Sequence, residues 1–247
     1  MLPEHGYSFS RTPLWAGIAM LPLTAGILLA GPISGILSDK YGSRPFATAG
    51  MIGSVIAFIL LSLLPINFIY WQFALILLFM GIAMGCFAAP NRAGVMNSLP
   101  PEDRGSGGGM NATFQNSAQV LSIGIFFTLM IAGLAANLPK ALASGLISHG
   151  VPQSVALSVS HLPPVSVLFA AFLGYSPIKE LISPKVFKSI SPHNQAILTG
   201  HSFFPRLIAA PFAHGLTEAF IFAIIACAIA AAASWFRGKK YVHGSID

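Results

Sequence analysis

The sequence contains a long charge-free interval, RPFATAGMIGSVIAFILLSLLPINFIYWQFALILLFMGIAMGCFAAPNR, residues 44–92. No charged residue lies between its two outer arginines. A membrane-spanning helix needs about 20 apolar residues, so this interval is too long for one crossing and long enough for two. The tripeptide Pro-Ile-Asn at residues 65–67 is a turn signal near its middle. The interval therefore predicts two spanning helices, at about 46–64 and 69–89.

The composition of the whole chain agrees with this interpretation. Of 247 residues, 55% are hydrophobic and only 8% are charged, and the mean hydropathy is +0.75. Soluble domains carry about 25% charged residues, so a soluble protein is excluded. The net charge of +6 does not indicate nucleic-acid binding, because the lysines and arginines stand singly at the edges of apolar segments instead of clustering.

Outside the central interval, three further segments are apolar and long enough to cross a membrane, and Glu218 is the one charged residue within them. They lie at about 14–37, 110–135 and 215–236. The sequence thus predicts an all-α, polytopic membrane protein with five transmembrane helices. We divide it into residues 1–136 with four spans and cytoplasmic loops at 38–45 and 92–109, a long extracytoplasmic loop at 137–213, and a last span with a basic tail at 214–247.

The distribution of basic residues predicts the orientation. With five crossings the loops alternate in side, and positively charged loops stay in the cytoplasm. The short loops on the other side carry few basic residues, which predicts an outside N-terminus and a cytoplasmic C-terminus in a multi-pass cell membrane protein of bacterial type. The basic residues assigned to the cytoplasm are Lys40, Arg44, Arg92, Arg104, Arg237, Lys239 and Lys240.

The long segment at 137–213 is unusual, because connections of this length without secondary structure are uncommon. Its apolar piece PPVSVLFAAFLG, residues 163–174, is too short to cross a membrane alone, and many prolines interrupt the rest. We expect a structured outer cap of short helices at the membrane surface. A re-entrant hairpin is the alternative.

The sequence GILSDKYGSRP, residues 35–45, joins the first two predicted spans through a tight turn. Gly42 suits the turn, and Asp39 and Arg44 are close enough to pair across it. An aspartate at this place could also stabilise the positive end of a neighbouring helix. On composition alone, an ordinary cytoplasmic hairpin explains these residues equally well.

This stretch resembles the loop signature of the major facilitator superfamily. Gly35, Asp39, Lys40, Gly42 and Arg44 match that signature, whereas Ser43 departs from its usual basic residue. The segments on either side, residues 6–32 and 88–116, resemble the second half of fourteen-span drug:proton antiporters. The resemblance implies five helices of the C-terminal bundle, with the loop residues involved in gating.

The function implied by the resemblance is proton-coupled multidrug efflux, a form of membrane transport that confers drug resistance. The expected partners are the lipid bilayer, a small amphipathic substrate and protons. Because members of this branch are about twice as long, we expect the chain to be a fragment that is not competent alone and needs an N-terminal half or a second copy. The alternative is a non-transporting membrane fragment or scaffold. An enzyme is not expected.

Four polar residues on the fourth predicted helix are candidates for the substrate path. Asn111, Gln115, Gln119 and Ser122 recur at helical spacing on an otherwise apolar segment. Such a stripe could line a cavity between two bundles. Helix-to-helix hydrogen bonding within one bundle, or exposure near the cytoplasmic end, would also explain it.

Arg92 and Glu218 are the charged residues nearest to predicted spans, and intramembrane charge is a functional hypothesis by default. Arg92 is expected at the cytoplasmic end of the third helix, where it could equally serve as an interfacial anchor. Glu218 is expected in the first turn of the fifth helix, where a carboxylate favours the helix dipole. Protonation of Glu218 for coupling is the less favoured interpretation.

No cofactor or metal is expected. The glycines at 105–109 have no preceding strand and no following Lys-Ser or Lys-Thr pair, so they do not form a phosphate-binding loop. The histidines predicted to lie outside lack the close spacing of a zinc site. They are His149, His161, His193, His201 and His214.

Overall fold

The structure, a computed structural model, describes residues 12–172, 177–200 and 203–237, and within these ranges it is helical with no strand. Five helices in the described part are long and apolar enough to cross a membrane, which confirms the predicted all-α fold with five candidate spans. A 3-10 turn covers Pro101–Asp103. The helices are α1 (Thr12–Ala19), α2 (Leu21–Tyr41), α3 (Ser43–Ser62), α4 (Tyr70–Asn97), α5 (Arg104–Ser148), α6 (Gln153–Ser160), α7 (Pro164–Phe172), α8 (Ile178–Leu181), α9 (Pro184–Ser189), α10 (Pro192–Thr199) and α11 (Phe203–Trp235).

Two helices extend further into the predicted loops than the sequence indicated. The third span was expected to end near residue 89, but α4 continues to Asn97 with Pro90 inside it and buried. Proline removes one backbone hydrogen bond, and a membrane helix tolerates this where neighbouring structure compensates. The predicted loop at 38–45 is reduced to Gly42 alone, because α2 extends to Tyr41 and α3 begins at Ser43.

The helices that contain the fourth and fifth predicted spans also extend beyond those spans. Helix α5 has 45 residues, more than the predicted span at 110–135, and it takes in the glycine-rich residues 105–109, which were expected to belong to the cytoplasmic loop. At about 1.5 Å per residue, α5 is roughly 68 Å long, which exceeds the hydrocarbon thickness of about 30 Å. Helix α11 begins at Phe203, about three turns before the predicted start near residue 215.

The chain divides into two compact units. Among the described residues, the bundle unit comprises 16–126 and 220–237, and the leucine-core unit comprises 12–15, 127–172, 177–200 and 203–219. Helix α5 contributes its first half to the bundle unit and its second half to the leucine-core unit.

Within the bundle unit, α4 packs against α2 and α3 through glycines. A Cβ atom placed on Gly50 of α3 would lie 2.6 Å from the carbonyl oxygen of Ala83, and one placed on Gly85 of α4 would lie 2.9 Å from the amide nitrogen of Gly31. The hydroxyl of Ser34 donates to the carbonyl oxygen of Gly85 at 3.1 Å, in a buried position. Small residues therefore set the spacing of these helices, as they do in membrane bundles.

Large aliphatic side chains of the bundle unit point outward. Leu28 is 69% exposed and Ile36 is 73% exposed, although both belong to a candidate span. Such a surface is unfavourable in water and suits a lipid environment.

The leucine-core unit has the opposite arrangement. Leu134, Leu138, Leu142 and Leu146 lie at every fourth position of α5 and are completely buried. Residues from the short helices and from the first half of α11 complete the same apolar cluster. The main contributors are Ala156, Val167, Ile178, Ile182, Leu198, Phe204 and Ile208.

Candidate functional site

The connection between α2 and α3 is a turn of one residue. Gly42 has φ 84° and ψ 157°, and its amide donates to the carbonyl oxygen of Ser38 at 2.8 Å. Residues with a Cβ rarely adopt this positive φ, so a glycine is required here. The buried Ser38 hydroxyl donates in turn to the carbonyl oxygen of Gly35 at 2.7 Å, which links two residues of the last α2 turns.

The basic residues of this turn lie against aromatic rings. The ammonium nitrogen of Lys40 is 5.4 Å from the ring centroid of Tyr41, and the guanidinium carbon of Arg44 is 4.5 Å from that of Trp235 at the end of α11. Both distances fit cation–π contacts. The structure places Arg44 over the indole ring and Asp39 at an exposed position, and the pairing of Asp39 with Arg44 stays a prediction.

A second arginine closes the same end of the bundle unit. Arg237 donates through Nη2 to Oδ1 of Asn91 in the last part of α4. Gly94 leaves the space for it, since a Cβ there would lie 2.6 Å from the Ser43 hydroxyl and 3.2 Å from Nη1 of Arg237. The sequence pattern indicated the neighbouring Arg92 as a charged candidate, and the structure shows that Arg92 is exposed. The contact between Asn91 and Arg237 was not predicted.

The polar stripe predicted for the substrate path lies on the first half of α5. At about 100° per residue, its four members fall within an arc of about 80°. Asn111 is half-buried, and Gln115, Gln119 and Ser122 are exposed. Helical spacing therefore places the four side chains on one side of α5, in a segment where residues 113–124 are exposed all round the helix.

Glu218 lies inside α11 instead of in its first turn, because the helix begins at Phe203. The argument from the helix dipole consequently does not apply to it. Its carboxylate is 3.5 Å from Nδ1 of His214, one turn earlier. A Cβ on Gly133 of α5 would lie 2.5 Å from Oε2 of Glu218, so this carboxylate packs against the α5 backbone.

The pairing of His214 with Glu218 was not predicted, although their spacing of four residues is the sequence signal for it. Asn137 of α5 donates to the carbonyl oxygen of Gly133 at 3.1 Å, beside the same contact. A titratable pair thus faces a polar position of α5 within the leucine-core unit.

Part of this chain is similar to a known protein family and to several known proteins. Residues 1–123 match the Major Facilitator Superfamily. The Methyl viologen resistance protein SmvA of Salmonella typhimurium is 28% identical over 169 residues, which are 66% of this chain and 34% of the relative. The Riboflavin transporter RibZ of Clostridioides difficile is 29% identical over 126 residues, 51% of this chain and 28% of the relative.

A further relative is the Uncharacterized MFS-type transporter YhcA of Bacillus subtilis, 30% identical over 118 residues, 48% of this chain and 22% of the relative. The matched regions span about a third or less of the length of these relatives. No solved structure matched. Residues 1–123 are thus similar to the major facilitator superfamily, and the five long apolar helices of the described part agree with a multi-pass membrane protein.

Proposed function

We propose that this chain, which the family match and the relatives support as a member of the major facilitator superfamily, forms one helical bundle of a proton-coupled transporter that exports amphipathic compounds. The observation that carries the proposal is the polar stripe on α5, whose Gln115, Gln119 and Ser122 are exposed on one side of the helix.

The stripe supports transport because of where such transporters bind their substrates. Two bundles rock about a cavity near the middle of the membrane, and polar groups at their interface contact the substrate. Gln115, Gln119 and Ser122 offer amide and hydroxyl groups on one exposed face. A second bundle, from the same polypeptide or from a partner, would complete a cavity over this face.

The name of the Salmonella relative supplies an assay compound. Methyl viologen is a flat organic dication, and the relative's name refers to resistance against it. Methyl viologen has no N–H or O–H donor, so the amide oxygens of the stripe would attract it as the negative ends of side-chain dipoles. We therefore propose amphipathic cations as the substrate class.

A second candidate substrate is riboflavin, which the name of the Clostridioides relative suggests. The isoalloxazine ring of riboflavin carries several donors and acceptors that the amides of Gln115 and Gln119 could pair with. Uptake or release of riboflavin by the same cells distinguishes the two candidates.

The experiment is a chimera. This chain replaces the matched third of the Salmonella relative, and growth is measured in methyl viologen in a strain that lacks the native protein. We expect the chimera to restore resistance, and this chain alone to give no resistance above an empty vector. Resistance from this chain alone would contradict the need for a second bundle.

Matched alanine variants test the stripe itself. Ser122→Ala and Gln119→Ala should lower the resistance given by the chimera, because they remove polar groups from the proposed cavity. Ser117→Ala is the control, since residue 117 is exposed on the opposite face of α5. Equal loss from Ser117→Ala and Ser122→Ala, at equal protein levels, would remove the stripe from the substrate path.

Glu218 is the titratable candidate for coupling, together with its neighbour His214. Its carboxylate packs against α5, so a change in its charge would alter a helix contact. Glu218→Gln in the chimera should weaken the dependence of efflux on the proton gradient. Unchanged dependence would exclude Glu218 as a coupling residue and leave the proposed transport function intact.

A further inference from the structure

The bundle unit contains a cavity at the end where α2, α4 and α11 finish. Its volume is about 560 Å³, and its polar lining includes Asp39, Ser43, Arg44, Asn97, Ser98 and Arg237. The ends of three candidate spans meet here, which corresponds to the depth of lipid headgroups.

Both arginines of this cavity have unsatisfied donors. Nε of Arg44 and Nη1 of Arg237 are buried and have no hydrogen-bond partner. Each guanidinium is nevertheless held in place, Arg44 by the ring of Trp235 and Arg237 by Oδ1 of Asn91. Leaving such donors unpaired costs free energy, so the geometry lacks an acceptor.

The charges of the lining favour an anion. Arg44 and Arg237 carry two positive charges, and Asp39 is the one acidic residue among the lining residues, so the balance is positive. Guanidinium groups pair with phosphate oxygens through two parallel hydrogen bonds. The hydroxyls of Ser43 and Ser98 can donate to further oxygens of the same group.

We propose that this cavity binds a phosphate group, held by Arg44 and Arg237, and that an anionic lipid headgroup supplies it. The cavity is many times larger than the roughly 30 Å³ that one water molecule occupies, so it has room for more than a simple ion. Tyr41, which is 61% exposed, lines the cavity, and Trp235, which is 55% exposed, lies against Arg44, as interfacial aromatic residues do.

The test uses the purified chain in neutral maltoside micelles. Phosphatidylglycerol, phosphatidylcholine and sodium phosphate are titrated separately, and bound lipid is counted by native mass spectrometry while sodium phosphate is followed by phosphorus NMR. We expect phosphatidylglycerol to bind more tightly than phosphatidylcholine. Arg44→Gln or Arg237→Gln should each weaken that binding by about tenfold, because each removes a charge-assisted contact.

The control is Arg104→Gln, which removes one exposed positive charge at the start of α5, outside the cavity lining. It should change the affinity by less than about twofold, since surface charges are screened. If Arg44→Gln or Arg237→Gln does not fold, Arg44→Lys replaces it. This variant keeps the charge but loses the planar fork, and it should still lower the affinity.

The results separate the two sources of phosphate. Binding of phosphatidylglycerol that depends on both arginines supports a lipid headgroup. Binding of sodium phosphate alone, with the same dependence, supports a phosphate site and replaces the lipid by the free ion. Equal losses in Arg44→Gln and Arg104→Gln, or no binding of either probe, would overturn the proposal.

Discussion

The two units of this chain are built on opposite packing rules. In the bundle unit the helix contacts are made by glycines, alanines and serines, while large side chains such as Leu28 and Ile36 face outward. In the leucine-core unit, Leu134, Leu138 and Leu142 are completely buried. Lipid tails are as apolar as leucine, so burying leucine gains little in a bilayer, whereas in water it is the main driving force.

We infer from this difference that the two units are adapted to different solvents. The bundle unit satisfies the requirements of a bilayer, where close backbone approach and van der Waals contact hold helices together. The leucine-core unit satisfies those of water, where apolar area must be removed from solvent. We therefore expect residues 137–213, which make up most of the leucine-core unit, to lie outside the hydrocarbon region.

The side of the membrane on which each loop lies should give an all-or-none result. A reporter inserted near Ser189 should be external, and one fused after Lys240 should be cytoplasmic, because the basic loops stay inside. Paired alkaline phosphatase and fluorescent-protein fusions measure this in whole cells. The reverse pattern would contradict both the orientation and the count of five crossings.

A core leucine should matter far more than a lipid-facing one. Leu138→Ala should lower the free energy of unfolding by about 2–5 kcal/mol, since it leaves a cavity in the leucine-core unit. Leu28→Ala, the control, should change it by less than about 0.5 kcal/mol. Denaturant titrations in micelles, followed by circular dichroism, give both values. Similar losses would show that the two units do not differ in solvent.

Adding one methyl group should be harmful only at a glycine contact. Gly81→Ala places a Cβ atom against the backbone of α2 at Leu23, and should destabilise the bundle unit by about 1–3 kcal/mol. Gly31→Ala, where nothing lies within 4 Å of the added Cβ, should be neutral or stabilising by up to about 1 kcal/mol. The same titrations compare them, and a stabilising Gly81→Ala would refute packing by small residues.

The smallest effect is expected for Asp39. In the chain alone, Asp39→Asn should change the free energy of unfolding by no more than about 1 kcal/mol, a limit for an exposed charge near a helix end. In the chimera with a first bundle, the same change should reduce efflux, because the loop signature that residues 35–45 resemble implies a gating role for Asp39. A large loss in the chain alone would show that Asp39 acts within its own unit.

Spans could be predicted from sequence wherever charge alone defines them. The charge-free interval between Arg44 and Arg92 contains α3 and most of α4. Helix ends were less predictable, because Pro90 and Pro139 usually indicate a break but lie within continuous helices here. The four-residue leucine repeat from Leu134 was the available signal that α5 continues.

The candidate sites show a similar limit. The stripe on α5 follows from helical periodicity and needs no tertiary information. The placement of Arg44 over Trp235, and of Arg237 beside Asn91, joins residues far apart in the sequence. Contacts between single residues far apart in the sequence leave no periodic pattern from which they could be predicted, so the folded structure is needed to identify them.

The one-residue connection at Gly42 has a mechanical consequence. Consecutive Cα atoms are about 3.8 Å apart, so a link of one residue leaves almost no slack between α2 and α3. Neither helix can slide or rotate by more than a small amount without carrying the other. We therefore expect the hairpin to move as one unit, and the contact of Arg44 with Trp235 links it to the end of α11.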